Sequence, residues 1–308
     1  MKSILLGLLV LTMAACSHKP TVKELKAFAA IESYPFDTYL DTVSNKKALI
    51  IVAHDDDDCA MSGTIAGLTQ KGWTIKQLSL VSHINPETST NSAHIICDGN
   101  ELILDDGLYR LGLDTSTSPY VPIPHEAFDR LFLREKVAAA LVEKINAFNP
   151  SVLFTLDNEK GGYGHPDHVF ISQLVVDLLS ENKINAQRIY QSVYTDHMEE
   201  VIVDTWLKAK MEEWGYPHAS TIANEMYGID GMPEPDVQVD IFPYAETKMN
   251  YLRDYPESAK RNLRKFIPYY EEFDAKTYFA IFNREFFRVV GSESFSLSPV
   301  RKAQVHTN

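Results

Sequence analysis

The chain has 308 residues, 45% of them hydrophobic, with 29 Lys+Arg against 42 Asp+Glu and a formal net charge of −13. That length can bury a sizeable core, most simply as one large α/β domain. The acidic balance supplies no basic stripe to meet phosphates and argues against nucleic acid as a partner.

In chain order, Met1-Lys2, the apolar run Ile4 to Met13 and the small pair Ala14-Ala15 predict a secretory signal over residues 1–15. It is too short to span a membrane as an ordinary helix. Its end, L-T-M-A-A-C, resembles the lipobox of bacterial lipoproteins. The resemblance implies a lipid on Cys16 and a membrane-anchored protein of the bacterial cell envelope, periplasmic or surface-facing. A plain secreted protein is the competing expectation. Residues 16–45 read as a polar tether with a lead-in helix (V-K-E-L-K-A-F-A-A-I), and residues 46–308 as the main domain. With Cys16 modified, Cys59 and Cys97 remain. They pair as a disulfide, or Cys59 packs as a small apolar residue at a helix start.

The run A-L-I-I-V-A makes 47–53 a buried strand. Residues 58–72 read as a helix closed by Gly72, and 73–82 as a second strand. From His83 to about His125 the pattern breaks into loops with short strands, a place for substrate contacts. Residues 126–148 form an amphipathic helix stopped by Asn149-Pro150, followed by a strand at 151–156, a helix at 167–180 and a strand at 188–195. Two helices, 199–214 and 244–266, flank a Gly/Pro-rich loop. The aromatic stretch Tyr278 to Val290 closes the sheet or caps the core. This alternation predicts a Rossmann-like α/β fold: a mostly parallel sheet with helices on both faces, one domain with a C-terminal extension.

Two clusters carry chemistry. His54, Asp55, Asp56, Asp57 and Asp58 follow the first strand, and His165-Pro166-Asp167-His168 follows the strand 151–156 beyond the loop D-N-E-K-G-G-Y-G. In open α/β sheets the carboxyl ends of the strands form the ligand crevice, so both clusters should face one crevice. Four consecutive like charges repel, and a divalent cation relieves that repulsion. Two histidines and a carboxylate with an open position suit catalytic zinc, and other divalent transition metals take the same donors. A second carboxylate beside the ligand carboxylate can take a proton from water. Each cluster alone also reads as a helix cap or polar turn. His83, His94, His125, His197 and His218 read as surface or core residues, with His197 the nearest to an exception.

The strings A-H-D-D-D-D, S-G-T-I-A-G-L-T-Q-K-G and G-H-P-D-H-V resemble the PIG-L/LmbE-type zinc-dependent N-deacetylases over about residues 46–180. The family's first motif usually reads A-H-P-D-D-E and its second H-P-D-H. The resemblance implies zinc ligands His54, Asp57 and His168, with Asp56 as general base. It implies His165 as a protonated partner that stabilises the oxyanion or protonates the leaving amine, and Asp167 as the group that orients a histidine. Tyr163 stands where some members carry a mobile tyrosine; a packed loop aromatic is the other reading. Asp55 replaces the usual proline and Asp58 the usual glutamate, which lets Asp55-Asp56 compete with Asp56-Asp57 for the paired acids. Counting from His54 favours Asp56-Asp57. The implied activity is N-deacetylation of an N-acetylglucosamine-type sugar or glycoconjugate. A non-catalytic glycan-binding envelope lipoprotein and a metal-dependent phosphoesterase are the alternatives. Nothing in the sequence speaks to oligomeric state.

Overall fold

The computed structural model describes residues 19–82, 97, 99–112 and 121–291. The signal segment, Cys16, His83 and His94 lie outside the described residues. Among the described residues, seven strands form one sheet: β1 (Lys47–His54), β2 (Thr74–Val81), β3 (Asn100–Leu102), β4 (Val152–Leu156), β5 (Arg188–Val193), β6 (Val237–Asp240) and β7 (Arg284–Gly291). Their spatial order is β3-β2-β1-β4-β5-β7-β6. The first five strands are parallel, and β7 runs antiparallel to both β5 and β6. The expected mostly parallel α/β sheet is therefore the observed one; the aromatic C-terminal stretch starts in a short helix that ends at Phe279 and enters the sheet as β7, between β5 and β6.

Period-two side-chain alternation in β1 builds a core on each face. Leu49, Ile51 and Ala53 enter one core with Val137, Leu141 and Ile145 and with Phe170, Leu174 and Leu178. These come from α4 (Arg134–Phe148) and α6 (Pro166–Ser180). Ala48, Ile50 and Val52 enter the other with Met61, Ile65 and Leu68, beside Met249, Leu252 and Leu263. The helices of that layer include α2 (Ser62–Gln70), α10 (Ala245–Asp254) and α11 (Glu257–Phe266). Burial on both faces explains why β1 reads as a continuous apolar run.

The remaining helices are short: α1 (Val22–Lys26), α3 (Phe128–Leu131), α5 (Gly161–Gly164), α7 (Asp196–Met198), α8 (Lys208–Glu213), α9 (Ala219–Tyr227) and α12 (Ala275–Phe279). The lead-in segment is more than a tether. Asp37 N–H donates to Gln238 O at 2.9 Å and Gln238 N–H to Pro35 O at 2.9 Å, so this segment covers the edge of β6.

Three helix expectations change. The helix expected over 126–148 begins at Arg134, because Phe132 is extended (φ −94, ψ 142), bridges Arg110 and stacks on Phe170 at 4.0 Å. Burial of that ring overrides local helix propensity. The helix expected over 244–266 breaks at Tyr255-Pro256, where proline lacks an N–H and drives Tyr255 out of the helical region (ψ 144). The helix expected over 199–214 is a π-helix over Glu199–Leu207 continued by α8. The Gly/Pro-rich loop after it holds α9 and β6.

Candidate metal centre and active site

The sheet order changes direction between β1 and β4. A crevice opens there at the carboxyl ends of the strands. β1 ends on His54. The loop after β4 is tied by Asp157, whose carboxylate accepts the backbone N–H groups of Glu159, Lys160, Gly161 and Gly162 at 2.6 to 3.1 Å. That loop delivers His165 as the N-cap of α6, with Pro166 at the first helical position. His168 lies one turn further in.

The two clusters meet. His54 Nδ1 lies 3.1 Å from His168 Nε2 and 3.4 Å from Asp57 Oδ2, and His168 Nε2 lies 3.3 Å from Asp57 Oδ1. Ligand atoms bonded at ~2.0–2.1 Å to a tetrahedral centre stand roughly 3.3 Å apart, so these three fit a small divalent transition ion. Two further overlapping groups bring donor atoms within 4.8 Å of one another: His54, His165 and His168, and His54, Asp56 and Asp57.

The donors are held in place. His168 Nδ1–H donates to Gly161 O at 2.9 Å, which leaves Nε2 with its lone pair toward the cluster. Asp57 Oδ2 accepts His54 N–H at 2.8 Å. Gly161 has φ +63, and a Cβ there would sit 2.8 Å from both His168 Cβ and Val169 N. Gly161→Ala is expected to cost about 1–3 kcal/mol from left-handed strain. By displacing the carbonyl that orients His168, it is also expected to weaken metal affinity about 10–100-fold. Melting temperature and metal titration check this against Gly162→Ala, where φ is +77 but the added Cβ meets nothing within 4 Å.

Burial and charge coupling compete at the centre. Burial disfavours a charged His54, yet Asp57, with Asp167 and Asp56, outweighs it and pushes the imidazole up to about 9. Burial would raise Asp57, but His168 and His54 hold it well below the ordinary carboxylate range. Burial, then His168 and His54, push His165 well below the usual histidine value. That departs from the protonated partner expected there. His165 Nδ1 accepts Asp167 N–H at 3.2 Å, so the proton of the neutral ring sits on Nε2. The residue is a neutral hydrogen-bond donor.

The four aspartates divide by partner. Asp56 and Asp57 line the cavity at the cluster. Asp55 Oδ2 accepts the Ser82 hydroxyl at 2.6 Å, and its carbonyl accepts Gln77 Nε2–H at 3.0 Å, which places it outside the ligand groups. Asp58 is fully buried and accepts the hydroxyls of Tyr251 and Tyr255. Burial pushes it up to about 7 against the pull of both tyrosines, and Asp55 and Asp56 add to the rise. Asp167 accepts Tyr109 Oη–H at 2.6 Å and Arg110 Nη1–H at 2.8 Å, while His54 Nε2 stands 3.9 Å away. Tyr163 lines the cavity, edge-on to His168 at 5.4 Å and tilted on Phe266 at 4.7 Å.

Sequence reasoning missed Tyr109, Arg110, Tyr251, Tyr255 and the cavity-lining Lys265. Only Tyr109 and Arg110 lay in a segment marked for substrate contacts. The other described histidines stay away from the cluster: His125 stacks on Tyr227, His197 meets Ala27 O, and His218 meets Thr221 and Val203 O. Cys59 and Cys97 are not joined as a disulfide, so the pairing expectation gives way to separate thiols.

Residues 49–179 match the family model described as PIG-L: GlcNAc-PI de-N-acetylase. A mycothiol S-conjugate amidase of Streptomyces coelicolor is 28% identical over 31% of this chain and 38% of its own length. A 1D-myo-inositol 2-acetamido-2-deoxy-alpha-D-glucopyranoside deacetylase of Nakamurella multipartita is 49% identical over 15% of each chain. A similarly named deacetylase 1 of Catenulispora acidiphila is 25% identical over 68% of this chain and 75% of its own. Among solved structures, the N,N'-diacetylchitobiose deacetylase of Pyrococcus horikoshii aligns over 86% of this chain and 93% of its own at 16% identity, with a TM-score of 0.43. A deacetylase of the teicoplanin biosynthesis pathway aligns over 80% and 98% at 13% identity, with a TM-score of 0.47. The match to the GlcNAc-PI de-N-acetylase (PIG-L) family model, residues 49–179, thus spans both strand ends and all three converging donors.

Proposed function

We propose that this chain is a metal-dependent amide hydrolase that N-deacetylates an N-acetylglucosamine-type sugar or glycoconjugate at the bacterial cell envelope. The observation that carries the reading is the convergence of His54 Nδ1, His168 Nε2 and the Asp57 carboxylate within 3.1 to 3.4 Å, beside Asp56 in one cavity. The family match and the names of the relatives support the amide and the aminosugar. The lipobox-like L-T-M-A-A-C supports the envelope setting and a lipid anchor on Cys16.

His54, Asp57 and His168 would hold the ion, zinc by donor set. When bound it supplies Lewis-acid polarisation of the carbonyl and a lowered pKa for water. Asp56 holds the attacking water and takes its proton. His165 Nε2–H donates to the carbonyl oxygen as negative charge develops there, and its neutral form can do so without first losing a proton. The proton held by Asp56 then passes to the departing nitrogen as the C–N bond breaks, giving acetate and a free amine. Asp167, locked by Tyr109 and Arg110, holds negative charge near His54 Nε2 and keeps the ring in place.

The test is amine release from a panel of N-acetylated sugars by the purified protein, with and without chelator, alongside metal stoichiometry. Chelator-sensitive release with one metal equivalent is expected. One equivalent with no release from any sugar would favour a non-catalytic glycan-binding protein, and two equivalents a phosphoesterase.

A further inference from the structure

The cavity that holds the metal-ligand cluster is far larger than an acetyl group needs. Its volume is about 400 Å³, within the range that holds a whole small-molecule ligand. One end carries His54, Asp56, His165 and His168. Beyond Tyr163 the wall turns apolar: Val193 from β5, Met198, Ile202 and Leu207 from α7 and the π-helix, Met232, and Phe286 from β7.

These side chains belong to two small clusters apart from the cores on the sheet faces, and Tyr163 packs against one of them. All but the half-buried Met232 are buried from solvent, and all face the cavity. Two cations on the same cavity, Arg284 and Lys248, are engaged within the wall. Arg284 donates to Glu32 O, Ala30 O and Gln238 Oε1, and Lys248 pairs with Glu285.

A sugar placed against this wall would leave hydroxyls without partners, at roughly 1–3 kcal/mol for each one buried. The polar partners, Asp56, Arg110, Tyr109 and Lys265, are the groups that suit the aminosugar. The group bonded to the carbonyl carbon on the side away from the amine then meets the apolar wall. Methionine supplies Met198, Met211 and Met232 of the lining, and its flexible side chain adapts to a chain of variable shape. The π-helix Glu199–Leu207, a rare element found mostly at functional sites, forms part of the same wall.

We infer that this wall is an acyl pocket, so that the amide this chain cleaves carries an aliphatic acyl chain longer than acetyl. The inference rests on the amide-hydrolase reading above and extends it to the acyl group. Hydrolysis then releases a fatty carboxylate and the free amine, with the same water and proton inventory.

The test is kcat/KM for N-acetyl-, N-butanoyl-, N-hexanoyl- and N-octanoylglucosamine by amine release, beside a series of alkyl glycosides of N-acetylglucosamine. A rise of about fourfold per methylene along the N-acyl series is expected until the pocket fills. Activity highest on acetyl, or a gain confined to the alkyl glycosides, overturns the acyl pocket while leaving the hydrolase reading intact. Ile202→Trp and Leu207→Trp, which fill the wall, should lower the octanoyl-to-acetyl ratio at least tenfold. Calorimetric titration of the unmodified protein with sodium octanoate needs no variant and no turnover. Octanoate binding where acetate at equal concentration gives none supports the pocket, even if no amide is cleaved and the hydrolase reading falls. No octanoate binding and no chain-length preference sinks it.

Discussion

Asp56→Asn is expected to lower kcat by roughly 10²–10⁴-fold, the usual contribution of a positioned general base, while metal content stays at the level of the unmodified protein. Asp56 ends the first turn after β1, lines the cavity and has donor atoms within 4.8 Å of His54 and Asp57. Asparagine keeps the shape and loses only the ability to take a proton. Because the change acts on the reacting proton rather than on substrate binding, kcat should fall with little movement of KM. Metal analysis and steady-state kinetics on the same preparation decide it. A variant that keeps zinc and full activity would place the base elsewhere.

The second large effect is at the ligand set. His168→Ala removes one of three converging donors, and its cost in metal affinity should exceed the 10–100-fold that follows loss of an outer-shell partner. Activity should fall with the metal. Removing the imidazole also leaves the Gly161 carbonyl and one side of Asp57 unpartnered. A second readout comes from linkage. Metal at a hundred times its dissociation constant stabilises the fold by about 2.7 kcal/mol. Chelator should therefore lower the melting temperature of the unmodified protein and leave that of His168→Ala unmoved. An equal chelator shift in both would mean that His168 is not a ligand.

The meeting of the two clusters was legible because two regular patterns locate them, while the choice of His54, Asp57 and His168 within them came from the family resemblance. An apolar run of strand length ends at His54, another ends before the loop to His165, and in a parallel sheet both ends face one crevice. The assignment of Asp56 and Asp57 followed from counting along the chain from His54. The break at Pro256 was also legible, since the proline is in the sequence, although the helical pattern on either side masks it.

The partners of the site were not legible. Asp58 is held by Tyr251 and Tyr255, 193 and 197 residues away, and Asp167 by Arg110 and Tyr109, 57 and 58 residues away. No periodicity ties those positions to the strand ends. Side-chain hydrogen bonds of that range exist only once the sheet and its C-terminal helices have packed. The neutral state of His165 has the same origin, since burial and neighbouring imidazoles are properties of the folded site.

By itself, then, the sequence determined the elements with strong periodicity, the parallel α/β sheet and the meeting of the two His/Asp clusters at its strand ends. These follow from local pattern and chain topology. Only the tertiary structure decided what each remaining acid does. Asp55 is held by Ser82 and Asp58 by two tyrosines, and the cavity beyond Tyr163 is walled by apolar side chains from β5, the π-helix and β7. Those roles depend on which distant segments pack together, and that information enters only through packing.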